Sequence, residues 1–177
     1  MTRTHHRALC AVLLLSLGSA LYAADPGFSR HYTSNMVLQR AKPVVIRGFA
    51  DKGAEVTVAF ADQTKKTNAD TDGNWSVTLD PMEPSARGRE LKCSSAGGQS
   101  VLKHVLIGDV FLFARQTTID VSLGRDEAGK KAAADVPSVR VMMIRTTPSE
   151  TPRPDLAQDA TNGWAVLDKT TALKMSG

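Results

Sequence analysis

Residues 54–60, AEVTVAF, alternate between apolar and polar or small side chains, and residues 74–80, NWSVTLD, do the same. In the first segment Val56, Val58 and Phe60 share one face, with Glu55, Thr57 and Ala59 on the other. In the second, Trp75, Val77 and Leu79 fall together. A period of two is that of an extended strand with one face buried. Between the two lies NADTDGN, where Asp72-Gly73 signals a hairpin turn because glycine accepts positive φ. Further strands are expected at MVLQR, PVVIRGFA, RELKCSS and VLKHVLI. Short strands broken by Gly, Pro and Asp make residues 25–107 a small antiparallel β-sandwich, and the chain β-rich.

The phase of this alternation also assigns single residues. Trp75 is in step with Val77 and Leu79, which makes it a core residue rather than a platform for a sugar ring. Cys93, between Lys92 and Ser94, is expected to be a small core residue rather than a reactive thiol. Lys65-Lys66 and Lys130-Lys131 are expected on solvated faces, and Trp164, after Asn162-Gly163, is expected to pack.

At Gly108 the pattern changes. DVFLFA (109–114) is a nearly continuous apolar run, as in a strand covered on both faces. GRDEAGKKAAADVP (124–137), rich in Ala with Lys and Glu among its charges, predicts a helix that Pro137 stops. SVRVMMIR (138–145) supplies a second apolar strand. Strand, helix and strand at this spacing predict a βαβ unit with a parallel sheet, so residues 108–177 are expected to form an incomplete α/β segment. One such unit cannot cover its own faces, and a partner over residues 110–145 is expected. Residues 148–163 are a polar, Pro-rich loop.

Ahead of the sandwich, Arg3 and Arg7 precede the apolar stretch ALCAVLLLSLGSALYAAD. It is too short to span a bilayer and ends in small residues, so residues 1–24 are expected to be a signal peptide cleaved near Ala23 or Ala24. The mature chain is then secreted or periplasmic, with no membrane association after the leader is removed. The leader takes two arginines and no acid from a total of 22 basic and 18 acidic residues, so the mature chain is close to neutral. With charges scattered and aromatics few, nothing points to nucleic acid. Of the two cysteines, Cys10 leaves with the leader, and Cys93 alone forms no internal disulfide. No His/Cys/carboxylate cluster stands at ligand spacing and no Gly-rich phosphate loop is present, so neither metal nor cofactor is expected.

The segments SNMVLQRAKPVVIRGFADKGAEVTVAF, ADTDGNWSVTLDPM and VLIGDVFLFARQTT follow one another in an order and spacing that resembles the start of sialate O-acetylesterases. These are secreted carbohydrate acetylesterases with an SGNH-type hydrolase domain. The resemblance covers residues 27–123 and continues more weakly from Trp164 to Gly177. It implies a sandwich leading into an α/β hydrolase whose first strand ends in a Gly-Gln-Ser-Asn-Met motif, the Ser being the nucleophile. Gly108, Asp109, Val110 and Leu112 fit the approach strand, and Gln116 matches the Gln of the motif. Arg115 stands at the Gly, Thr117 at the nucleophilic Ser, Thr118 at the Asn and Ile119 at the Met.

Each departure has a chemical consequence. Thr117 keeps a hydroxyl but adds a methyl on Cβ, which restricts χ1 and crowds the line of attack. Threonine nucleophiles typically use a chain-terminal amine as base, which an internal residue lacks. Arg115 replaces a glycine where the backbone must come close to the reacting group. Losing one oxyanion donor costs about two to three orders of magnitude in rate. Without the resemblance, Thr117-Thr118 would be a strand-end cap bonded to local backbone.

The family's base lies in a later Asp-x-x-His pattern. The histidines after the leader are His31 and His104, with Phe28 and Val101 three residues before them, so neither fits. His104 is expected to be structural or on the surface, and the chain is expected to end before the catalytic Asp and His. Two functions follow as expectations. One is a sialate O-acetylesterase-like secreted protein, acting on O-acetylated sugars by ancestry and inactive as this chain. The other is a non-enzymatic β-sandwich module that binds carbohydrate or a protein partner.

Overall fold

The computed structural model describes residues 24–112, 128, 131, 136, 138–145, 148–153 and 155–168. Ten strands run through them: β1 (Gly27–Phe28), β2 (Val37–Gln39), β3 (Val44–Phe49), β4 (Glu55–Phe60), β5 (Gln63–Asn68), β6 (Asn74–Leu79), β7 (Ser85–Ser95), β8 (Gly98–Gly108), β9 (Arg140–Val141) and β10 (Ala165–Val166). A three-stranded sheet has the order β1-β3-β6, and a five-stranded sheet the order β2-β8-β7-β4-β5. The apolar positions of β4 and β6 are buried as their alternation predicts. Val56, Val58 and Phe60 from the larger sheet meet Ile46, Val77 and Leu79 from the smaller in one core. Full burial of side chains of this size stabilises by about 1.5–3 kcal/mol each, before chain entropy is charged against it.

Trp75 is a core residue, 3% exposed, with the Phe28 ring edge-on to it at 5.8 Å. Gly48 lies opposite in the β3–β6 register, and its missing side chain gives the indole its place. Cys93 is buried and unpaired.

Two expectations about the sandwich need correction. Asp72-Gly73 does turn the chain, with Gly73 at φ 84° and the Asp70 carboxylate accepting from the amides of Asp72 and Asn74. It does not join 54–60 to 74–80 as a hairpin, because β5 intervenes and the turn carries the chain from one sheet to the other. β5, QTKKTN, is polar throughout and pairs with β4 as an edge strand. Its lysines lie at the surface as expected, Lys65 bridging to Asp80 at 2.7 Å and Lys66 to Glu55 at 2.8 Å. The sandwich is also not wholly antiparallel: β2 runs parallel to β8, with Val37 to Gln39 opposite Leu106 to Gly108. The intervening sandwich is itself the long crossover that a parallel pair requires.

After Gly108 the outcome also differs. Residues 109–112 form no strand, and Phe111 and Leu112 are 74% and 86% exposed rather than covered on both faces. The second apolar segment contributes only β9, which pairs antiparallel with β10. No parallel βαβ pairing is present among the described residues, and the helix expected over 124–137 falls almost wholly outside them. Residues 148–153 and 155–163 form no helix or strand, as expected of a polar, Pro-rich loop.

Candidate functional site

Of the residues expected in the approach strand, Gly108 ends β8, and Asp109, Val110 and Leu112 follow it outside any strand. The parallel register sets Gln39 beside Gly108, and the amide of Arg40 donates to the Gly108 carbonyl at 2.9 Å. The Gln39 side chain then bridges the next residues. Its Oε1 accepts from the amide of Val110 at 2.9 Å, and its Nε2 donates to Asp109 Oδ1 at 3.4 Å. Arg40 Nε donates to the same carboxylate oxygen at 3.0 Å. This hydrogen-bonded guanidinium holds the Asp109 carboxyl below its usual range, so the carboxylate is charged at neutral pH. The end of β2 thereby fixes the direction in which the chain departs. Gln116, Thr117 and their neighbours Arg115, Thr118 and Ile119 lie outside the described residues.

A second cluster joins the start of the sandwich to the end of the described chain. The backbone amide of Arg30 donates to both carboxylate oxygens of Asp155 at 3.1 and 3.0 Å, and its guanidinium donates to the Leu156 carbonyl at 3.0 Å. Trp164 anchors the other side, its indole Nε1 donating to the His31 carbonyl at 3.1 Å and its amide to Thr33 Oγ1 at 2.8 Å. Gly163 reaches this position at φ 87°, pressed against Thr33. Trp164 therefore packs, as its context predicts.

His31 lies in this cluster with Nδ1 3.7 Å from Asp155 Oδ1 and its ring 3.9 Å from that of Tyr32. Burial lowers its pKa, against the pull of Asp155, so the imidazole is neutral at pH 7. Local spacing gave no reason to expect an acid beside it; the fold brings one from 124 positions along the chain. Such a pair can orient an imidazole as a proton acceptor, although 3.7 Å exceeds a hydrogen bond and Asp155 is already engaged by Arg30. His104 is different. It sits exposed at φ 57° in a bulge of β8, against Gly88, where the β7–β8 register slips.

Cys93 is no nucleophile in this fold. Its Sγ donates to the Pro26 carbonyl at 3.7 Å, and burial pushes its pKa up to about 11. Among the described residues no group of His, Cys, Asp and Glu could hold a metal, and no helix is long and apolar enough to cross a membrane.

No family model matches the sequence, and no curated protein matches it. Solved structures do resemble the fold. A carbohydrate acetylesterase from Xanthomonas citri superposes with a TM-score of 0.77 at 24% identity, over 85% of this chain and 34% of that one. The chain thus spans about a third of the length of that enzyme. A bacterial immunoglobulin-like domain of the M. primoryensis ice-binding adhesin matches at 21% identity over 48% of this chain and 94% of its own, with a TM-score of 0.30. The likeness to the acetylesterase establishes a shared β-rich fold.

Proposed function

We propose that this chain is an exported, sialate O-acetylesterase-like protein, built on the sandwich and junction of a carbohydrate acetylesterase, that does not hydrolyse esters by itself. The observation that carries the reading is the superposition on the Xanthomonas citri enzyme over 85% of the chain. The order of NMVLQR, DGNW and GDVFLFARQTT supports it independently. So does the clamp of Gln39 and Arg40 on Asp109, the first residue after β8 and one of those that fit the approach strand of the motif.

Ester cleavage by such a device needs a hydroxyl to attack the acetyl carbonyl while an imidazole takes its proton, after which the sugar oxygen leaves with that proton. Water then frees acetate. Thr117 offers a hindered hydroxyl, and Arg115 displaces the glycine that lets the backbone approach the oxyanion. Gln116 keeps the one motif residue that supports rather than performs the reaction. Residues 1–24 serve as the leader and place the mature chain in the periplasm or outside the cell.

The test is hydrolysis of 4-nitrophenyl acetate and of an O-acetylated sugar by the purified chain, beside Thr117→Ala and Thr117→Ser. No turnover above buffer is expected from the chain or from Thr117→Ala. Thr117→Ser alone stays silent while Arg115 remains. Turnover that Thr117→Ala abolishes would overturn the reading.

The non-enzymatic module is a second reading, favoured by the exposed Phe111 and Leu112 and the half-exposed Met143 and Ile144. Its partner is a protein that presents an apolar surface to residues 110–145.

A further inference from the structure

Beside the Arg30–Asp155 junction, described residues between Met142 and Ala160 and the loop carrying His31 line an open cavity of about 660 Å3. That volume is in the range of small-molecule sites, which are mostly apolar with a few placed polar groups. The lining here is divided in the same way. Met142, Ile144, Leu156 and Ala160 contribute apolar surface, and Ile144 is 50% exposed, so hydrocarbon faces water there. Arg145 and Arg153 bring two guanidiniums to the same cavity.

Those guanidiniums are only partly used. Arg145 Nη1 donates to the Asp159 carbonyl at 3.3 Å, and Arg153 Nε to Ser149 Oγ at 3.1 Å. Each group carries five N–H donors, and neither forms an ion pair with a carboxylate among the described residues. The one acid in the lining, Asp155, is committed to Arg30 and to the amide of Leu156. The cavity therefore has a surplus of positive charge beside exposed hydrocarbon. Pro152 in its wall restricts the backbone, so closing around a ligand costs less entropy.

We infer that this cavity binds a small organic carboxylate with a hydrocarbon body. The anion is held by Arg145 and Arg153, whose planar forks match a carboxylate, and the body covers Ile144 and Met142. A single negative charge suits the site better than a double one, because Asp155 shares the wall. Binding here calls on Arg145, Arg153, Ile144 and Met142, none of which belongs to the esterase motif.

The test uses the full chain with labelled isoleucine and methionine methyl groups, titrated with 4-phenylbutyrate. The expected result is a saturable shift of Ile144 and Met142, with Ile46 and Ile107 in the sandwich core unmoved. The neutral amide, 4-phenylbutyramide, binds about tenfold more weakly, as loss of a charge-assisted pair requires. Arg145→Gln with Arg153→Gln weakens the acid by about the same factor and leaves the amide unchanged. If that double variant disturbs Ile46 or Ile107, the comparison of acid with amide on the unaltered chain decides alone. Absence of a saturable shift, equal binding of acid and amide, or shifts centred on Ile46 and Ile107 would overturn the assignment.

Discussion

Asp109 and Arg40 meet at 3.0 Å, Oδ1 to Nε, and this contact ties the end of β2 to the chain leaving β8. The pair is exposed, and exposed pairs add little to global stability. Its effect is local, because the same Asp109 oxygen also accepts from Gln39, whose Oε1 receives the Val110 amide. Asp109→Ala is therefore expected to leave the denaturation midpoint unchanged while hydrogen exchange at Val110 accelerates. The direction with pH follows from the lowered folded pKa of Asp109. The contribution of the pair is present above the ordinary carboxylate pKa and lost as pH falls through the lower, folded value. Unchanged exchange at Val110 in Asp109→Ala would contradict the clamp.

Packing makes the sharpest demand at Gly48. A Cβ there would run into the carbonyl oxygen of Gly27 and the indole of Trp75. Neither can give way cheaply, since Gly27 is paired backbone and Trp75 is enclosed by the core. Gly48→Ala is expected to cost about 3 kcal/mol or more, read as a lowered urea midpoint. Lys66→Ala on the edge strand should change stability by less than about 0.5 kcal/mol in the same assay.

The contrast between these two positions shows what the sequence makes legible. Strands with one buried face, such as β4 and β6, declare themselves by alternation, and so does the core place of Trp75. β5 has no apolar residue to alternate, and its strand conformation comes from pairing with β4. The β2–β8 pair joins residues about seventy positions apart, and no local pattern encodes that choice of neighbour or direction. The same limit hides Asp155 from His31. An apolar run like 109–114 signals burial only when something covers it, which is why it failed as a guide to residues 109–112. Thr117 and Gln116 rest on the motif alone and lie outside the described residues.

Burial also governs Cys93. Its folded pKa of about 11 leaves almost no thiolate at pH 8, and no surface admits a reagent. In a Cys10→Ser background, a disulfide thiol reagent should fail to label the native chain and label it fully in denaturant. Because the folded pKa is raised, the stabilisation is complete below the unfolded thiol pKa of about 8.5. It declines as pH rises from there through about 11. Cys93→Ala should lack this part of the alkaline decline. Labelling of the native chain at pH 8 would show that the β7 core is not closed.

Docking of the distal segment depends on Trp164. Trp164→Phe keeps the ring's bulk and the amide bond to Thr33 Oγ1 but removes the indole donor to the His31 carbonyl. A hydrogen bond of this kind has a net worth of about 1 kcal/mol, equal to roughly a fivefold change in the docked population. Arg145 reports on that population, since its amide bonds the Ala160 carbonyl and its guanidinium the Asp159 carbonyl. Trypsin should therefore cut after Arg145 about fivefold faster in the variant. Trp75 is the tryptophan that remains, so its fluorescence should show an unchanged sandwich. Equal cleavage rates in both proteins would mean that the Trp164 contact does not hold the segment in place.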